Sequence, residues 1–236
     1  MIELIPAIDI IDGKCVRLTK GDYDTKKVYN EDPVSVAREF EQKGIKRLHV
    51  VDLDGARSRH IVNDNVLRRI TEATSLVVDF GGGIKTDEDI EKAFEAGASM
   101  VTIGSIAVTD PERSFEWLRK YGAERIVLGA DVRNGKISIN GWKEDSEEDL
   151  IPFLKKYLEA GIRNVLCTEI SKDGMLQGPA IELYKEVMKA YPECHLIASG
   201  GVSSKEDILA LEEAGIPAVV FGKAIYEGRI KLEELC

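Results

Sequence analysis

Two aspartates carry the first chemical suggestion in the sequence. Asp9 closes the apolar run IELIPAID and Asp131 closes IVLGAD, and a carboxylate ending an apolar strand is poorly solvated and needs a reason to be there. Two facing carboxylates suit acid/base work, because one can remove a proton while the other, kept protonated by its surroundings, delivers one. Each could instead cap its own loop by accepting backbone N–H bonds. Two glycine-rich turns, Gly81-Gly82-Gly83 and Ser199-Gly200-Gly201, suggest a second kind of chemistry, and each is complemented further on by Gly104-Ser105 or Gly222-Lys223. Glycines let backbone N–H groups approach an anion, and the start of a following helix adds partial positive charge. Gly83, Gly104 and Ser105 are therefore candidates for one phosphate cradle, and Gly201, Gly222 and Lys223 for another. Two cradles imply a long substrate with a phosphate at each end. Tight turns alone would also account for the glycines.

Other polar residues are candidates at the same sites. Asp52, Asp54 and Gly55 follow one apolar run, and Thr168, Ser171, Asp173 and Gly174 follow another, where they could hold sugar hydroxyls or support a catalytic carboxylate; turn formation competes equally. Arg17 and Lys85 are plausible local cations, and Lys20 reads as a solvated surface charge. Trp142, after Asn140-Gly141, could stack on a planar heterocycle or pack its loop.

Positioning these groups falls to short Val/Ile/Leu-rich runs that alternate with amphipathic segments, the pattern of βα units around a buried parallel sheet. Strands are expected near 2 to 10, 47 to 53, 76 to 80, 100 to 104, 125 to 131, 163 to 169, 195 to 199 and 218 to 222. Helices are expected near 33 to 43, 64 to 73, 86 to 96, 111 to 120, 147 to 160, 180 to 190, 204 to 214 and 229 to 235. Asp32-Pro33 and Asp110-Pro111 mark helix starts, and Gly44, Gly97, Gly161 and Gly215 mark ends. The stretch Gly82 to Ala107 matches Gly200 to Ile225 without a gap at ten of 26 positions, where chance supplies about one or two. The same offset, within a few residues, pairs Asp9 with Asp131. The chain thus reads as one domain over residues 1–236, a (β/α)8 barrel of two similar halves, approximately 1–121 and 122–236. In such a barrel the carboxyl ends of the strands form one reactive face, so the repeat sets Asp9 and Asp131 on opposite sides of one mouth.

Composition narrows the class. A chain of 236 residues, 44% apolar, is too hydrophobic for disorder, and no uncharged apolar run is long enough to span a bilayer. A net charge of −10 argues against a nucleic-acid partner, and no membrane partner is expected. The start MIELIPAIDIIDG has no basic n-region, so a cytoplasmic location is expected. Cys15, Cys167, Cys194 and Cys236 form no CxxC pair, and His49, His60 and His195 show no ligand spacing, so neither a metal site nor a disulfide framework is indicated.

IPAIDIIDGKCVRLTKGDY, VVDLDGA, FGGGI, GADVRNGK, TEISKDGMLQGP, ASGGV and FGKAIY together resemble the isomerase family of histidine biosynthesis that acts on phosphoribosylformimino-aminoimidazole carboxamide ribotide (ProFAR). The resemblance covers nearly the whole chain. It implies a half-repeated barrel that turns the aminoaldose end of a bisphosphorylated substrate into an aminoketose by an Amadori rearrangement, without metal or redox cofactor. By resemblance, Asp9 is the general base and Asp131 the general acid, with Thr168 and Asp173 as supporting residues. The cradles correspond to two phosphate sites, and Arg17 and Trp142 to substrate-loop positions. Asp54, Lys85 and Gly174 complete the expected binding set. Lys85 stands where an arginine is frequent, and Asn140 precedes Gly-Trp where some relatives carry arginine. The sister cyclase, which works with a glutaminase partner, has Cys-Leu-Asp in its first strand; Ala7-Ile8-Asp9 here favours the isomerase. A non-catalytic phosphosugar-binding barrel would leave both aspartates unexplained. The expected state is a monomer.

Overall fold

The computed structural model describes residues 1–236. Twelve strands run β1 (Glu3–Ile11), β2 (Lys14–Thr19), β3 (Asp22–Asn30), β4 (Arg47–Asp52), β5 (Val77–Gly81), β6 (Met100–Ile103), β7 (Ile126–Arg133), β8 (Lys136–Ile139), β9 (Glu144–Asp149), β10 (Asn164–Glu169), β11 (His195–Ser199) and β12 (Ala218–Phe221). Eight of them, β1, β4, β5, β6, β7, β10, β11 and β12, pair in parallel in that order. Pairing of β12 with β1 completes a closed barrel, so no edge strand remains in it. The eight expected strands are these eight, with ends shifted by a residue or two.

Alternation along each strand sorts the side chains into two cores. Outward residues such as Leu48, Val50, Leu128 and Ala130 meet the apolar stripes of the helices. Inward ones, Ile5, Ala7, Val127, Leu166, Ile197, Ala218 and Val220, fill the barrel. The inward parity of β1 and β7 ends on Asp9 and Asp131, which is how an apolar strand delivers a carboxylate to the mouth. Asp52 has the outward parity and is fully buried. It accepts from the backbone N–H groups of Gly55, Val62 and Asn63 and from the Asn63 side chain, at 2.7 to 2.9 Å, so it fixes the turn after β4.

The remaining four strands depart from the expected loops. β2 and β3 form an antiparallel excursion after β1, and β8 and β9 form another after β7. Three of their turns, Asp12-Gly13, Lys20-Gly21 and Asn134-Gly135, have both residues at positive φ, the conformation of two-residue hairpin turns. The expected helix 147–160 accordingly begins only at Leu150, because Glu144–Asp149 is strand. The expected C-terminal helix 229–235 is absent. A short helix, Lys223–Tyr226, is followed by Gly228 at positive φ and then only by a 3-10 turn, Leu232–Glu234. Ile230 and Leu232 are both buried, a spacing of two that one helix face cannot present. Short helices at Leu53–Ser58 and Ser105–Thr109 were not expected either.

Gly83 is held at φ +84, and a Cβ there would lie 2.5 Å from the His60 carbonyl oxygen and 2.7 Å from that of Gly55. Gly201 repeats this at the same φ against Gly178. A side chain at either position would point into the neighbouring turn rather than across the cradle. Gly83→Ala should therefore cost about 1 to 3 kcal/mol of stability from the backbone conformation alone, with the clash adding to it, and thermal unfolding checks this.

Candidate active site

Asp9 and Asp131 line one cavity at the carboxyl ends of the barrel strands, together with Arg17, Trp142, Thr168 and Asp173. The first cradle, Gly81 to Gly83 with Lys85, Gly104 and Ser105, lines the same cavity. The second, Gly200 and Gly201 with Gly174, Gly222 and Lys223, lines an adjoining pocket, and Arg17, Asp173, Ser199 and Val220 border both. Asp54 is not among the lining residues. Its carboxylate accepts from the Asp12 backbone N–H at 2.7 Å and the Asn63 side chain at 2.9 Å, joining the first excursion to the turn after β4.

The two aspartates stand in different surroundings. Arg17, brought in on β2, donates to Asp9 at 2.7 Å and lies 3.7 Å from Asp173, so one buried guanidinium serves two carboxylates. Asp131 has no ion-pair partner. The Trp142 indole N–H donates to it at 2.7 Å, and Thr168 faces it from the paired position on β10. Burial pushes the Asp131 carboxyl above its usual range, against the hydrogen bonds of Trp142 and Thr168. Burial also pushes Asp173 up to about 6, with Arg17 opposing and Asp9 and Asp131 reinforcing.

Trp142 sits at φ +67, after Asn140 and Gly141 in the same region, and its indole lies against Gly21 at the tip of the first excursion. Both packing and hydrogen bonding therefore apply to it. Lys223 and Ser105, which the internal match aligns, each fasten an excursion: Lys223 donates to the Gly174 carbonyl at 2.8 Å and to Thr19 at 3.3 Å, and the Asn140 backbone N–H donates to Ser105 at 2.8 Å. The longer helices after the cradles, Asp87–Glu95 and Lys205–Glu213, have first-turn N–H groups already capped by Thr86 and Ser204. The short helices after Gly104 and Gly222 have no side-chain cap, so their first N–H groups stay available to an anion. Lys85 is half-buried beside its cradle, and burial together with Arg59 lowers its pKa.

His49, Tyr23 and Thr102, none of them expected at the site, also line the cavity. Inward parity on β4 and β6, counted from the strand ends, would have found His49 and Thr102.

The family model described as "Histidine biosynthesis protein" matches residues 3–231. The chain belongs to this family. Among its relatives, a protein of Phocaeicola vulgatus named 1-(5-phosphoribosyl)-5-((5-phosphoribosylamino)methylideneamino)imidazole-4-carboxamide isomerase is 66% identical over 235 residues, 100% of this chain and 98% of the relative. Proteins of the same name from Bacteroides thetaiotaomicron and Flavobacterium psychrophilum are 63% and 53% identical, covering 100% and 99% of this chain and 98% and 97% of their own length. Family members of that name thus match the chain end to end, excursions included.

Proposed function

We infer that the chain is the aldose–ketose isomerase that its relatives are named for, converting the phosphoribosylamino end of a bisphosphorylated imidazole carboxamide into a phosphoribulosyl end. The observation that carries this is the unlike environment of two carboxyl groups in one cavity, Asp9 against a guanidinium and Asp131 against neutral donors in a desolvated pocket. That division suits a base and an acid.

The steps follow from the substrate's chemistry. Asp131 gives its proton to the ribose ring oxygen as the bond from that oxygen to C1 breaks and the amino nitrogen forms a C1=N⁺ Schiff base. Asp9 takes the proton from C2, and the electron pair moves to C1=C2, leaving a neutral enaminol. C1 then receives a proton from Asp9 while the C2 hydroxyl returns its proton to Asp131, giving the ketone and restoring both groups. No atom is gained or lost, so the sequence requires no redox partner. Asp173, with Arg17, supports the Asp9 side, and the cradles take the two phosphates.

Incubation with ProFAR, with and without ammonia, tests the reading: isomerised product in both cases supports it, whereas ammonia-dependent cyclisation or no turnover overturns it. Trp142→Ala should raise KM roughly 5- to 150-fold, the equivalent of about 1 to 3 kcal/mol for stacking on a planar base. A fall in thermal stability with KM unmoved would reduce the indole to loop packing.

A further inference from the structure

Two positive charges stand together at the first cradle with nothing to balance them. Lys85 lines the cavity, and Arg59 is close enough to its ammonium to act on it by charge. The turn that carries Arg59 abuts the cradle: His60, the next residue, puts its carbonyl oxygen 2.5 Å from where a Cβ on Gly83 would lie. Neither side chain has an ion pair, because Asp54 pairs with Arg57 at 3.6 Å instead, and the Asp89 carboxylate is taken up by backbone N–H groups of Ile61, Lys85 and Thr86 and by the Thr86 hydroxyl, at 2.9 to 3.3 Å. Burial and Arg59 together hold the Lys85 ammonium below its ordinary value, against Asp89.

The fold gains nothing from this arrangement. Arg59 sits at φ +64, the left-handed conformation in which a side chain is strained and glycine is not. The second cradle does without a cation at either position: the internal match sets Ser203 opposite Lys85, and the turn against Gly201 presents Gly178, with Gln177 before it where Arg59 precedes His60. Its own charges come from elsewhere. Arg17 and Lys223 border its pocket, and the residue that the match aligns with Lys223 is the uncharged Ser105. Each cradle therefore has two cations beside it, drawn from different positions. An exposed arginine that is strained, unpaired and set near a like charge is explained by an anion held between the two cations. We propose that Arg59 is the second cation of the first phosphate site, a specificity-determining residue that acts with Lys85 on the same phosphate. This rests on the reading of the cradles as phosphate sites and adds to it a residue outside the cavity lining.

Amide NMR of the full chain, titrated with inorganic phosphate at low ionic strength, reads the two cradles separately, through Gly104 and Ser105 at the first and Gly222 and Lys223 at the second. Arg59→Gly should weaken phosphate at the first cradle roughly 3- to 10-fold, the scale of one charge several ångströms away in half-exposed surroundings, and leave the second unmoved. Arg59→Gln should lose as much, and Arg59→Lys should recover most of it. Added sodium chloride should shrink the difference between wild type and Arg59→Gly. Stability separates this from a structural role, because glycine suits φ +64 and removes a like charge: the unfolding temperature of Arg59→Gly should hold or rise while phosphate affinity falls. Unchanged affinity at the first cradle in a folded Arg59→Gly or Arg59→Gln protein overturns the proposal, as does an equal loss at both cradles; in both cases the cradles remain phosphate sites. Wild-type Gly104 and Ser105 signals that do not respond to phosphate overturn the proposal and the reading of that cradle together, and the ProFAR assay reports on the isomerase chemistry by itself.

Discussion

Asp131→Asn should lower kcat by about 10²-fold or more while the barrel stays folded, since an amide cannot give the ring oxygen a proton. Retention of the fold is expected because the side chain faces the cavity, and the Trp142 indole can still donate to the amide oxygen. With Asp131 as the proposed acid, the wild-type rate should fall as the pH rises through its raised value. That limb should vanish in the variant along with the rate. Asp9→Asn should fall by a similar factor for the opposite reason, loss of the base, and it also breaks the 2.7 Å pair with Arg17. The two are separated by isotope exchange at the substrate's C2. Asp9→Asn should abolish exchange, and near-normal turnover in either variant would remove its assigned role.

The second large effect concerns the phosphates. Gly104→Val should depress kcat/KM for the bisphosphorylated substrate by 10²-fold or more, through both rate and affinity, because remote binding energy holds the ribose between the two carboxyl groups. Gly104 is the informative glycine. A Cβ there has nothing within 4 Å and φ is −117, so the branched side chain stands in open space over the uncapped N–H groups of Ser105–Thr109. Gly83 and Gly201, equally plausible from sequence, would report on the neighbouring turns instead. A folded Gly104→Val protein with full kcat/KM would mean that the phosphate lies elsewhere.

The barrel was legible because its eight parallel strands are buried on both faces and read as continuous apolar runs. The excursions were not. β3 is exposed along most of DYDTKKVYN and β9 is the acidic string EDSEED, so neither shows the apolar alternation that marks a strand, although Asp12-Gly13 and Asn134-Gly135 signalled hairpins. The polar mouth followed from strand ends. His49 escaped notice because it lies mid-strand, where RLHVVD reads as core and the pairing with Asp79 depends on register between strands. Asp54 differs again: its carboxylate bonds the Asp12 backbone N–H and the Asn63 side chain near the mouth.

The excursions pair with the barrel lightly, β2 along the last three residues of β1 and β8 with only Val132 and Arg133 of β7, and the barrel closes without either. Arg17 and Trp142 arrive on these arms, whereas Asp9 and Asp131 belong to the barrel strands. The two carboxyl groups and the side chains that donate to them thus arrive on separate parts of one chain. Remodelling the arms, by mutational drift or deliberate grafting, would therefore change the partners of both carboxyl groups while the barrel strands keep their backbones in place.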